Sequence, residues 1–187
     1  MNHFMHQFRY SEKDRRINQN PEEILLNIGL KEGMYFIDSG CNDGYFTLPA
    51  SRIVGNNGKV WAIDIDSGAL NKLKEKLKKE SINNTEIIAS PAEEVIIATN
   101  IADIIFFSMV LHDFKNPSKV LKNSKQMLKE DGIIYDYDWQ KSNTLIGPSI
   151  DIRLSQKQVK DLAEKNGLAV KSSKIIDKNF YAITLVK

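Results

Sequence analysis

Two acids stand at the ends of apolar runs that a glycine loop separates. Asp38 closes the run from Met34 to Ile37, Asp64 closes the run from Val60 to Ile63, and Gly40 and Gly44 lie between them. A parallel strand that breaks into a tight turn, with an acid at the next strand tip, suits a nucleoside ligand. Glycine lets the backbone approach the ligand. The carboxylate of Asp64 can accept both ribose hydroxyls, because an ionised acid only accepts. A dinucleotide fingerprint sets glycine at the first, third and sixth loop positions. Here those positions are Gly40, Asn42 and Tyr45, and Gly44 comes one place early. The spacing argues against a nicotinamide cofactor.

A second set of candidates lies downstream. His112 and Asp113 follow the apolar run Ile101–Ser108 at its carboxyl end, where ligands bind in open α/β sheets. They are the best candidates for a general base. An equal alternative is that His112 caps the following helix or satisfies a loop carbonyl. Strand alternation puts Asp136 and Asp138 on one face and Tyr135 and Tyr137 on the other. One of these acids could reach an acceptor; bonding to backbone amides at the strand end is the favoured alternative. Trp139 reads as core. His3 and His6 are one helical turn apart but have no matching acid or cysteine cluster, so no metal site is expected. Cys41 has no base spaced to activate it and reads as a small buried residue.

Strand-like and helix-like segments alternate around these residues, which predicts an α/β, Rossmann-like doubly wound sheet. Asn20, Pro21 and Glu23 mark a helix start, and Gly29 its end. A helix is expected from about Gly44 to Val54, a strand over Val60–Ile65, and a lysine-rich helix over Ser67–Ser81 whose Leu70, Leu73 and Leu77 face inward. Glu86–Ala89 reads as the third strand. Ile101–Ser108 is almost wholly apolar, as a central strand buried on both faces should be. A helix opens at Asn116-Pro117 and runs to about Lys129, and Asp131-Gly132 turns it into the strand Ile133–Asp138. Ser155 and Gln158 form a capping box for a helix that stops at Asn166-Gly167. The strands Ala169–Ile176 and Phe180–Val186 close the chain as an antiparallel hairpin. The count is seven strands, mostly parallel.

With 187 residues and 42% hydrophobic content, the chain supports one domain, here residues 20–187, preceded by a polar segment 1–19 that reads as a lid. A formal charge of +2 is too small to imply nucleic acid. No apolar run is long enough for membrane insertion. A single cysteine suits a reducing, cytoplasmic compartment.

The ordered set of strand, glycine loop, strand with acid and closing hairpin resembles the class I S-adenosylmethionine-dependent methyltransferases, whose loop reads acid-x-Gly-x-Gly-x-Gly. DGYFTLPASRIVG after the loop, MVLHDF after the fourth strand, and DW followed by GP and RLS resemble one subgroup, the type 11 and ubiquinone/menaquinone-biosynthesis methyltransferases. The resemblance implies S-adenosylmethionine as cofactor. Asp38, Gly40, Asn42 and Gly44 would line its methionine end, Asp64 would hold the ribose and Ile65 would lie against the adenine. Ser90 stands where many relatives carry an adenine-contacting acid. Ser108 would face the methionine or the methyl group. Asn42 replaces the central glycine of the family loop, and asparagine tolerates left-handed backbone angles better than most residues.

The implied activity is methyl transfer to a small-molecule acceptor. The rival is a SAM-binding or regulatory protein that keeps the fold and has lost turnover. The Asn-Pro-Pro-aromatic signature of adenine and glutamine methylation is missing, and one cysteine cannot supply the set an arsenite methyltransferase needs. Segment 1–19, the His112 loop and Ser142–Arg153 would build the acceptor pocket. Arg153 could anchor an acidic group or merely pair on the surface, and the surface reading is favoured.

Overall fold

The computed structural model describes residues 19–144 and 146–187. The expected lid therefore lies outside the described residues except for Gln19. Seven strands form one sheet: β1 Tyr35–Ser39, β2 Lys59–Asp64, β3 Thr85–Ala89, β4 Ala102–Ser108, β5 Leu128–Trp139, β6 Ala169–Ile175 and β7 Phe180–Val186. Their order is β3-β2-β1-β4-β5-β7-β6. The first five run parallel, and β7 is antiparallel to both β5 and β6. The closing hairpin thus inserts its second strand beside β5.

Among the described residues, five α-helices cover the sheet: α1 Pro21–Asn27, α2 Thr47–Val54, α3 Ser67–Lys79, α4 Pro117–Met127 and α5 Gln156–Lys165. Alternation on β4 splits the core. Ile105 and Phe107 face Val120 and Leu121 of α4 and Val159 and Ala163 of α5. Ile104 and Phe106 face Leu25 of α1 and Ala50 and Val54 of α2. All four of these β4 residues are at most 2% exposed, so both faces are covered. Leu70, Leu73 and Leu77 of α3 pack on Ala62 and leave most of the lysines outside.

The sequence signals at the helix ends hold locally. The Asn20 side chain accepts from the Glu23 amide, and Ser155 and Gln158 cap one another. Two boundaries differ. The helix expected from Gly44 begins at Thr47, because Asn42 and Gly44 take positive φ angles of 49° and 90° and hold the chain in turns. Asp131-Gly132 does not separate a helix from a strand. The helix ends at Met127, Leu128 already pairs with Ala102, and the pairing resumes at Ile133 with Ile104. The chain between bulges out of the ladder. A Cβ on Gly132 would lie 2.9 Å from the Ala102 carbonyl oxygen, so glycine serves a close backbone approach.

Candidate active site

The loop after β1 is tied to the tip of β2. The amides of Gly40 and Cys41 both donate to the Ile63 carbonyl, at 2.8 and 3.0 Å. The Asn42 amide donates to Asp64 Oδ2 at 2.7 Å, and the Asp66 amide to Oδ1 at 2.9 Å. Each oxygen of Asp64 therefore holds one backbone donor and keeps a second lone pair for a ligand. Asp38 is buried and accepts the Thr47 hydroxyl at 2.6 Å, joining the end of β1 to the start of α2. Gly40 has φ +82°, and a Cβ there would collide with Val110. Gly44 has φ +90°, and a Cβ there would collide with Leu73. Asn42 takes a left-handed angle, φ +49°, and its Oδ1 accepts the Asp43 amide at 2.8 Å.

The other expected cofactor residues surround this loop. Ile65 is 73% exposed beside Asp64, an apolar side chain left without cover. The Ser90 amide donates to the Asp64 carbonyl, but its hydroxyl points to the Pro91 carbonyl at 3.5 Å. Ser108 Oγ, at the tip of β4, is buried and has no hydrogen-bond partner. Its neighbour Met109 has φ +53°, a rare angle for such a side chain. A glycine cradle, spare lone pairs on Asp64, an uncovered Ile65 and an orphaned hydroxyl at the strand tip fit S-adenosylmethionine. The carboxylates of Asp38 and Asp64 suit a sulfonium cation. Cys41 is buried with its Sγ turned to the Asn42 carbonyl. Burial, then the charges of Asp38 and Asp64, push its thiol far up, so it is no nucleophile.

His112 neither caps a helix nor serves a loop carbonyl. It sits in a 3-10 turn, Leu111–Asp113, and its Nδ1 lies 2.8 and 2.9 Å from the two oxygens of Asp138. Both side chains are buried, at 2% and 1% exposure. Asp138 also accepts the Trp139 amide at 2.7 Å, as the strand-end alternative expected. An ionised carboxylate only accepts, so Nδ1 carries the proton and Nε2 is the basic nitrogen. Asp113 Oδ1 lies 3.5 Å from Nε2, with its side chain 59% exposed. Burial lowers the pKa of His112, but the Asp138 hydrogen bond and charge, with Asp113, outweigh it and carry the pKa above its ordinary value; Arg153 acts against them. Burial, then Asp138, also raise the carboxyl of Asp113, while His112 lowers it. Val110, on which Gly40 packs, joins this turn to the cofactor loop.

Arg153 is not a surface residue. It is 3% exposed, and all five of its N–H donors meet backbone carbonyls of the strap after β5. Nε and Nη2 donate to Pro148, Nη2 also to Ile146, and Nη1 to Gln140 and Ser142, at 2.7–3.1 Å. Its guanidinium stands 5.4 Å from the centre of the Trp139 ring. Trp139 is core, packed 4.4 Å from Phe180, and also the surface on which Gly147 rests. The strap borders an open pocket of about 250 Å³ lined by residues that include Ser142, Thr144, Ile146, Pro148 and Arg153. Sequence reasoning missed both the Asp138 partnership and the Arg153 clamp. The spacing of Asp138 two residues from Asp136 was visible, but its partner was not.

Residues 30–182 match the methyltransferase domain family. A crystal structure of a SAM-dependent methyltransferase from Aquifex aeolicus superposes with a TM-score of 0.85 at 29% identity, covering 91% of each chain. A probable cobalt-precorrin-6B C(15)-methyltransferase (decarboxylating) of Sulfurisphaera tokodaii is 32% identical over 123 residues, covering 64% of this chain and 62% of that protein. The ubiquinone/menaquinone biosynthesis C-methyltransferase UbiE of Vibrio parahaemolyticus is 30% identical over 114 residues, covering 60% and 44%. The chain thus spans 44–62% of the length of these curated relatives. It belongs to the methyltransferase domain family, within the class I, S-adenosylmethionine-dependent methyltransferases. Among the described residues no helix is long and apolar enough to cross a membrane.

Proposed function

We propose that the protein transfers a methyl group from S-adenosylmethionine to a small-molecule acceptor that loses a proton in the step. The observation that carries this reading is the buried His112–Asp138 pair, set two residues from the Val110 that contacts the cofactor loop. The cofactor, when bound, supplies an electrophilic methyl group on a sulfonium. Asp38, Gly40, Asn42 and Gly44 hold its methionine end, Asp64 its ribose, and Ile65 and Ser90 flank its adenine. Ser108 offers its unpartnered hydroxyl near the methionine or methyl end.

The remaining work belongs to the pair. His112 Nε2 takes the acceptor's proton, and Nδ1–H stays on Asp138, which fixes the tautomer and balances the imidazolium. Asp113 hands the proton from Nε2 to solvent. Such a base serves a hydroxyl or an activated carbon acid. Both named curated relatives methylate carbon by their names, which favours a carbon acceptor. A reducing, cytoplasmic compartment suits the single, buried Cys41.

Titration calorimetry with S-adenosylmethionine, S-adenosylhomocysteine and NADH tests the cofactor assignment. Binding of the first two without the third is expected. Asp64→Ala should weaken it roughly a hundredfold, since charge-assisted hydrogen bonds to a ribose are worth about 1.5–3 kcal/mol each. Unchanged affinity in Asp64→Ala would remove that residue from the ribose site.

A further inference from the structure

Asp136 is the residue that the site does not yet use. It is fully buried on β5, and neither carboxyl oxygen has a hydrogen-bond partner. It lies on the same face of the sheet as Asp138, two positions along the strand and so about 7 Å away at Cα. On β7, Tyr181 stands opposite Asp138 in the register, and its hydroxyl is also buried without a hydrogen bond. That hydroxyl is within electrostatic reach of Asp136, short of hydrogen-bonding geometry. The rest of its surroundings on this face are apolar: Ile134, Phe107 of β4 and Ile183 of β7.

We propose that Asp136 keeps its proton throughout, so that β5 sets one charged carboxylate, not two, near the His112 imidazole. This rests on the reading of His112 as the base. An ionised carboxylate with a single hydroxyl, Tyr181, beside it in an otherwise apolar pocket is the costliest state open to this side chain, whereas a neutral carboxylic acid needs no counter-charge. Burial, then the charge of Asp138, drive its pKa well above the usual carboxylate range, with Tyr181 acting against them. Asp138 already holds His112 and the Trp139 amide. The groups facing His112 are Asp138, Asp113 and Arg153. A second buried anion would hold the imidazolium too firmly for Nε2 to act as a base. A neutral Asp136 leaves His112 able to take up a proton and to give it back.

Two measurements decide this, and neither needs the acceptor. Infrared spectroscopy of the wild type at neutral pH should show the C=O stretch of a protonated carboxylic acid, which Asp136→Asn should remove. In proton NMR, the His112 titration is told from those of His3 and His6 by its loss in His112→Gln. Asp136→Asn should leave its midpoint within about 0.3 units, whereas loss of a neighbouring anion would lower it by about a unit. Absence of the infrared band, or a midpoint lowered that far in Asp136→Asn, overturns the proposal. If Asp136→Asn does not fold, the wild-type band alone decides. Asp138→Asn serves as the separate control: it should lower the His112 midpoint, and failure to do so would sink the dyad while leaving the infrared result on Asp136 standing.

Discussion

The cofactor loop and the His112–Asp138 pair lie side by side at the carboxyl ends of the parallel strands, yet they are built in opposite ways. The loop is made of backbone: the amides of Gly40, Cys41 and Asn42 clamp it to Ile63 and Asp64. The pair is made of side chains from a turn after β4 and the end of β5, with Arg153 of a third segment near enough for its charge to act on both. A backbone site requires particular φ angles and close approaches, which few residue types can supply. A side-chain site requires only that two groups meet, which the fold decides. The first kind tolerates exchange of a side chain that keeps the angle. The second does not tolerate exchange of the group itself.

The largest effect should therefore fall on His112. His112→Asn should lower kcat roughly a hundred- to ten-thousand-fold, the range for losing a general base, while S-adenosylmethionine affinity stays within about twofold. The pH profile sharpens this. A base works when neutral, so activity should rise with pH through the His112 pKa. Because Asp138 and Asp113 raise that pKa, the acid limb should lie above the ordinary value near 6.5. Asp138→Asn removes the main source of the shift, so its acid limb should move down and its kcat should fall. If His112→Asn kept full activity, catalysis would rest on positioning alone.

The same contrast explains what the sequence disclosed. The acid at each strand tip, the glycine spacing and the left-handed tolerance of Asn42 are local signals, and the structure gives Asn42 a φ of 49°. The seven strands followed from apolar runs and turn residues. The order that sets β7 between β5 and β6 needed pairing information that no local pattern carries. The Asp131-Gly132 turn misled for a related reason: those residues do leave the regular ladder, but as a bulge within a strand pairing with β4. His112 and Asp138 are 26 positions apart, so neither named the other. Arg153 looked like surface because a lone arginine usually is. Its partners are carbonyls, which every residue has and no sequence marks.

Arg153 tests whether the strap belongs to the side-chain half. Lysine offers three donors on a point charge where arginine offers five in a planar fork. Arg153→Lys should lose at least two of the five hydrogen bonds, leave at least one of the four carbonyls without a donor, and cost roughly 2 kcal/mol of stability, seen as a lower Tm. Once an acceptor is in hand, its KM should rise about tenfold, with S-adenosylmethionine affinity unchanged. If the cofactor's affinity moved instead, the strap would have to be assigned to the loop side of the comparison.

The smallest effect should come from the residue that departs most visibly from the family loop. Asn42 sits where relatives carry glycine, but its φ of 49° lies in the region asparagine enters most readily, and its Oδ1 offsets some of the strain by accepting the Asp43 amide. Its own amide makes the bond to Asp64 that ties the loop to β2, and glycine would make the same bond. Asn42→Gly removes a strain of about 1 kcal/mol, adds chain entropy of similar size in the unfolded state, and gives up the Asp43 contact. These contributions nearly cancel, so stability should stay within about 1 kcal/mol and S-adenosylmethionine affinity within about fivefold. A gain of more than about tenfold in affinity would mean that the asparagine side chain occupies space the cofactor needs. The loop would then depend on its side chains after all, and the contrast between the two halves of the site would fail at this position.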